Sequence, residues 1–98
     1  MSKIYQLLFT PEAIGHIKHI SEWYNNQKKG LGARFKSNLK NVLADVKKNP
    51  FYHSFRYDDV RFAIPDKFPY AAHYTIKENI IIVHAVFAFK ENPDKWGK

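Results

Sequence analysis

The chain reads as an α+β domain, with an N-terminal strand and a helical hairpin packed on one face of a mostly antiparallel four-stranded sheet. Three observations predict it: an apolar run near the N-terminus, two stretches of helical period joined by a glycine turn, and three extended apolar runs punctuated by Pro, Asp and Asn. At 98 residues the chain makes a single domain spanning 1–98. Folding at this size buries roughly 60 to 70% of the surface that the unfolded chain exposes, so one modest core is available.

The elements follow in order. Lys3 to Phe9, KIYQLLF, favours an extended edge strand. Thr10-Pro11-Glu12 is a helix start: Thr caps the first free amides, Pro fits the first turn and Glu complements the dipole. A helix is predicted from Pro11 to about Gln27, with Ile14, Ile17, Ile20 and Tyr24 on one stripe and Trp23 at its border. Gly30-Leu31-Gly32 interrupts the pattern. A second helix, about Leu31 to Lys48, carries Leu31, Phe35, Leu39, Val42, Leu43 and Val46 on one face. Asn49-Pro50 ends it, because Pro disfavours helix in the residue before it. Phe51 to Asp59 is rich in aromatics without a clean period and reads as a loop or irregular strand. Val60 to Ile64, Tyr70 to Lys77 and Ile80 to Phe89 supply strands, the last two joined by a two-residue Glu78-Asn79 hairpin turn.

Composition narrows the function classes. The 45% hydrophobic and 16% aromatic content argues against disorder. Sixteen Lys and Arg stand against nine Asp and Glu, for a net charge of +7. A domain this basic attracts a polyanion: nucleic acid, an anionic membrane surface or an acidic protein. Cysteine is absent, which excludes disulfides, thiolate metal sites and thiol nucleophiles. No secretory apolar stretch follows Met1, and the longest apolar run, Ile80 to Phe89, is interrupted by His84 and far shorter than a membrane span. The expected location is therefore cytoplasmic, with no membrane partner. His16 and His19 lie three apart on a helix, but no completing ligand set accompanies them, so neither a metal nor a cofactor is expected.

Strand parity selects candidate functional residues. Val60, Phe62 and Ile64 oppose Arg61 and Ala63. Tyr70, Ala72, Tyr74 and Ile76 oppose Ala71, His73 and Thr75, while Ile81, Val83, Ala85, Phe87 and Phe89 oppose Ile82, His84, Val86, Ala88 and Lys90. If the more apolar set of each strand faces the helices, Arg61, His73, His84 and Lys90 gather on the opposite face. Cations there bind phosphate and imidazoles move protons near neutral pH. The competing reading is an ordinary solvated sheet face. One β-bulge would also reverse the parity downstream and scatter the group. The stripe of Arg34, Lys36, Lys40 and Lys47 has the same two readings, a nucleic-acid contact or a solvated helix face.

The order Val60-Arg61, Phe68-Pro69-Tyr70, Tyr74, the apolar strand from Ile80 to Phe87 and Pro93-x-x-Trp96, after the Gly-Leu-Gly turn into Ala33-Arg34-Phe35, resembles the RelE/ParE toxins of bacterial type II toxin-antitoxin systems. The resemblance covers nearly the whole chain. It implies a small basic toxin, of the kind associated with plasmid stabilisation and growth inhibition, masked in a hetero-oligomer by a cognate antitoxin. RelE-like members are mRNA endoribonucleases acting on the ribosome, whereas ParE-like members inhibit DNA gyrase by binding. Arg61 matches the family's sheet arginine, and Lys90 stands where many members carry the first of two basic residues. Arg61, Lys67, Lys90 and Lys95 are the target contacts implied, and Arg61, His73, His84 and Lys90 the catalytic set for a ribonuclease. Many relatives read His-x-basic-Arg-Asp-Pro after the last strand. Here the histidine position is Ala88 and the second basic position is Glu91, which would repel a phosphate. That departure favours a ParE-like inhibitor over an RNA-cutting enzyme, with an inactivated relative as the third reading.

Overall fold

The computed structural model describes residues 4–88. β1 (Gln6–Phe9), α1 (Pro11–Gln27), α2 (Leu31–Lys48), β2 (Phe55–Tyr57), β3 (Val60–Ala63), β4 (Tyr70–Lys77) and β5 (Ile80–Ala88) follow in chain order. The sheet has five strands in the order β1-β5-β4-β3-β2, one more than expected. The additional strand is β2, three residues drawn from the aromatic segment and paired with β3 through an irregular register. β1 lies parallel to β5, and the other pairs are antiparallel.

Local chemistry sets the helix limits. The Thr10 hydroxyl accepts from the Ala13 amide at 3.1 Å and donates to the His84 carbonyl at 3.1 Å, while the Thr10 amide donates to the Val83 carbonyl at 3.0 Å. The cap thus ties the first turn of α1 to β5. This rotates Ala13 into the core and leaves Ile14 57% exposed, so the buried stripe runs through Ala13, Ile17, Ile20 and Tyr24 rather than through Ile14. Between the helices Gly30 takes φ +86°, a left-handed conformation that costs a side chain about 1 to 2 kcal/mol. In place of a cap side chain at Gly30, Asn25 Oδ1 accepts the Gly32 amide at 2.8 Å.

The main core lies between the helical hairpin and one sheet face. Phe35, Leu39, Leu43 and Val46 of α2 meet Ala63, Phe68, Ala72, Tyr74, Ile81, Val83 and Val86. A smaller cluster of Val60, Phe62 and Ala71, flanked by Tyr57 and Ile64, occupies the opposite face. Both faces of β3 are therefore apolar. Apolar content could not choose between them, and the expectation that Val60 and Phe62 face the helices is reversed.

A second reversal comes from a bulge. Tyr74 pairs with Val83 but His73 pairs with Ala85, which leaves His84 as an extra residue in β5. Ile81 and Val83 point into the main core as expected. Beyond the bulge Val86 takes that role, not Ala85 or Phe87. α1 supports the distorted edge: the Val86 amide donates to His16 Nδ1 at 3.2 Å, and the His16 ring lies 5.1 Å from that of Phe87.

Candidate functional site

Arg61 pairs with Tyr74, and directly opposed residues share a face. Tyr74 is fully buried in the main core, and its hydroxyl donates to the Pro50 carbonyl at 3.1 Å. Burial pushes that phenol up to about 12 against the opposing pull of Arg61, so it keeps its proton. Arg61 therefore lies on the helix side of the sheet, under the segment that leaves α2, and not on the open face. Its Nε donates to the His53 carbonyl at 2.7 Å, and its guanidinium carbon stands 4.0 Å from the Phe55 ring centroid and 5.2 Å from that of Phe51. His53 is pushed below its ordinary value by partial burial and then by the charges of Arg56 and Arg61.

His73 and His84 do lie on the open face, in unlike environments. His73 is fully buried, with rings of Phe62 at 4.1 Å and Phe87 at 5.1 Å. Its Nδ1 is 2.9 Å from the Tyr57 hydroxyl. Burial, then the charge of His16, pushes the imidazole down to about 4. Burial and the neighbouring Asp58 raise the Tyr57 phenol, so a protonated phenol shares a hydrogen bond with a neutral ring. His84 is exposed at the bulge, with Nε2 2.8 Å from the Thr75 hydroxyl. Arg61 is thus separated from both histidines by the sheet. Lys67 is exposed in the β3–β4 connection, where its amide donates to Asn38 Oδ1 at 3.2 Å. Lys90 and Lys95 lie outside the described residues, as do Pro93 and Trp96. Among the described residues no group of three or more His, Cys, Asp or Glu side chains could hold a metal, and no helix is long and apolar enough to cross a membrane.

On the helix side, between β1 and the helical hairpin, a groove of about 360 Å³ is lined by Leu7, Phe9, Ile17, Leu39 and Leu43, with Lys36 and Lys40 beside them. The groove flanks the edge strand of the sheet. A chain of the chromosomal ParDE TA system from P. aeruginosa matches this architecture with a TM-score of 0.79, over 91% of this chain and 100% of that one, at 13% sequence identity. The chain has the ParE-like toxin fold. No protein-family model matches the sequence, and no curated protein matches it.

Within this ParE-like fold, sequence reasoning missed three features. Tyr57 fell in the segment without a period, so its bond to His73 had no visible signal. The spacing of His16 and His19 points only toward a metal, whereas the His16 ring serves the bulged strand. Phe51, Tyr52 and Phe55 are 58%, 76% and 56% exposed. The aromatic density of that segment was visible in the sequence, but its solvent exposure was not.

Proposed function

We propose that the chain is the toxin of a type II toxin-antitoxin pair, masked by an acidic antitoxin and acting by binding its target, in the manner of ParE-like inhibition of DNA gyrase. The fold supports the pairing, because a structural neighbour belongs to a ParDE TA system. The groove supports the partner: apolar side chains of an acidic segment would fill it while carboxylates meet Lys36 and Lys40.

The observation that carries action by binding, rather than cleavage, is the placement of Arg61 across the sheet from His73 and His84. RNA cleavage through the ribose 2′-hydroxyl needs a base and a cation at one phosphate. A fully buried imidazole titrating near 4 is poorly matched to that work at neutral pH. An inhibitor needs no such constellation.

Expression of the chain alone, with and without the product of the adjacent small gene, tests the reading. Growth arrest relieved by the neighbour, filamentous cells and lost supercoiling in a purified gyrase reaction are expected. Unaltered supercoiling with the chain in excess would sink gyrase inhibition. Translated messages cut at codon positions would establish the enzyme instead.

A further inference from the structure

We propose that the groove between β1 and the helical hairpin is a binding site for a free medium-chain fatty carboxylate, its alkyl chain lying on the apolar walls and its head group meeting Lys36 and Lys40. The chemistry of the site stands without the toxin reading. Its consequence, competition with the antitoxin segment for one groove, rests on that reading.

The fold holds the walls in place. Leu39 and Leu43 belong to the main core at 3% and 2% exposure, and Leu7, Phe9 and Ile17 pack partly buried against it. β1 is fixed in turn by its register with β5, where the Gln6 amide donates to the Asn79 carbonyl at 2.8 Å. The groove is therefore formed before a ligand arrives, which lowers the ordering cost of binding. Its size and lining select the ligand. At about 30 Å³ for each water-sized group, 360 Å³ holds about a dozen heavy atoms, the count of decanoate. Five apolar side chains favour an alkyl chain and leave the hydroxyls of a sugar without partners.

Charge at the rim decides the head group. Lys36 and Lys40 are exposed and one helical turn apart, so both ammonium groups can meet one anion while their stems extend the apolar wall. Among the described residues no acidic side chain lines the groove. The one carboxylate of α2, Asp45, lines a separate polar pocket with Asn38, Asn41 and Asp66. Glu12 and Glu22 of α1 each stand five residues from Ile17, about 140° round that helix. Glu78 occupies the β4–β5 turn, beside the Gln6 end of β1. A carboxylate head is thus attracted and a cationic one repelled.

Isothermal titration calorimetry on the purified chain tests the site with hexanoate, octanoate, decanoate and dodecanoate, and with decanol and decyltrimethylammonium, all below micelle formation. Affinity should rise about three- to fourfold per methylene as far as decanoate and then flatten. Decanoate should bind about three- to tenfold more tightly than decanol, the worth of two exposed ion contacts, and decyltrimethylammonium most weakly. Decanoate should also raise the melting temperature. In methyl NMR spectra it should shift Leu7, Ile17, Leu39 and Leu43 and leave Ile64, on the opposite sheet face, unchanged. Ile17→Trp, which fills the groove, should abolish binding. If that variant does not fold, the double variant Lys36→Gln, Lys40→Gln decides, because both side chains are exposed; its decanoate affinity should fall to that of decanol.

Undiminished decanoate binding in the folded lysine double variant would overturn the proposal, as would equal affinity for decanol or decyltrimethylammonium. So would methyl shifts centred on Ile64, a lowered melting temperature, or no binding of any acid at ~1 mM, the weak end of measurable affinity. All of these measurements use the free chain, so a failure of the antitoxin reading, seen by co-expression, is a separate result.

Discussion

The Arg61 guanidinium holds a loop through the His53 carbonyl and lies against two exposed rings, so its removal has structural and functional consequences that separate experimentally. Arg61→Ala should cost about 1.5 to 3 kcal/mol for the charge-assisted bond, seen as a melting temperature lower by several degrees. Arg61→Lys restores the charge but not the planar fork and should recover only part of the loss. Growth arrest retained at full strength in folded Arg61→Ala would confine the residue to a structural role. His73 makes a different prediction. Its folded value of about 4 lies below the ordinary 6.5, so between those limits the unfolded chain binds a proton that the folded chain does not. Stability therefore rises with pH across that window and is lost as pH falls from 6.5 toward 4, by at most about 3 kcal/mol. Urea melts at pH 7 and pH 4.5 should show the difference, and His73→Phe should flatten it. Among the described residues, Tyr57, Phe62, Phe87 and His16 are groups that face this ring. An unchanged slope in the variant would mean that another group carries the acid sensitivity.

At the level of elements, the helical hairpin depends on one close approach. A Cβ at Gly32 would meet the Ser21 carbonyl oxygen and lie 2.9 Å from the Asn25 side chain, whose Oδ1 already accepts the Gly32 amide. Gly32→Ala should therefore push α1 from α2 and cost about 1 to 3 kcal/mol, the usual range for overpacking. Denaturant titration measures it, and a loss under 0.5 kcal/mol, within the range of ordinary surface substitutions, would show that the hairpin relaxes freely. The helix limits themselves were legible, because Thr10-Pro11 and Asn49-Pro50 act within a turn of where they stand. The inward stripe of α1 was less so: the tie from Thr10 to Val83 and His84, residues far along the chain, turned Ala13 inward and Ile14 outward.

For the whole molecule, the net charge of +7 and the groove beside β1 would divide the work of binding the proposed antitoxin. Apolar burial in the groove should set the dissociation rate, and the field of the basic surface the association rate. Replacing Lys36 and Lys40 together by Glu should slow capture of the antitoxin about tenfold at low salt, with less effect on dissociation. Stopped-flow mixing at two ionic strengths checks this. A change confined to the dissociation rate would instead place both lysines inside the interface. The open sheet face, expected to assemble Arg61 with the histidines, instead holds Phe62 packed on His73.

The sequence by itself determined the α+β class, both helices with their ends, the Glu78-Asn79 turn, the basic character and the likeness to a toxin family. These are properties of composition or of signals a few residues long. Only the tertiary structure decided the parallel pairing of β1 with β5, the strand status of Phe55–Tyr57, the side of the sheet that Arg61 occupies and the exposure of Phe51, Tyr52 and Phe55. Which face a strand residue takes depends on register between distant segments, and a single extra residue inverts it. His84 is that residue in β5. In β3, where both faces are apolar, the pairing of Arg61 with Tyr74 made the choice.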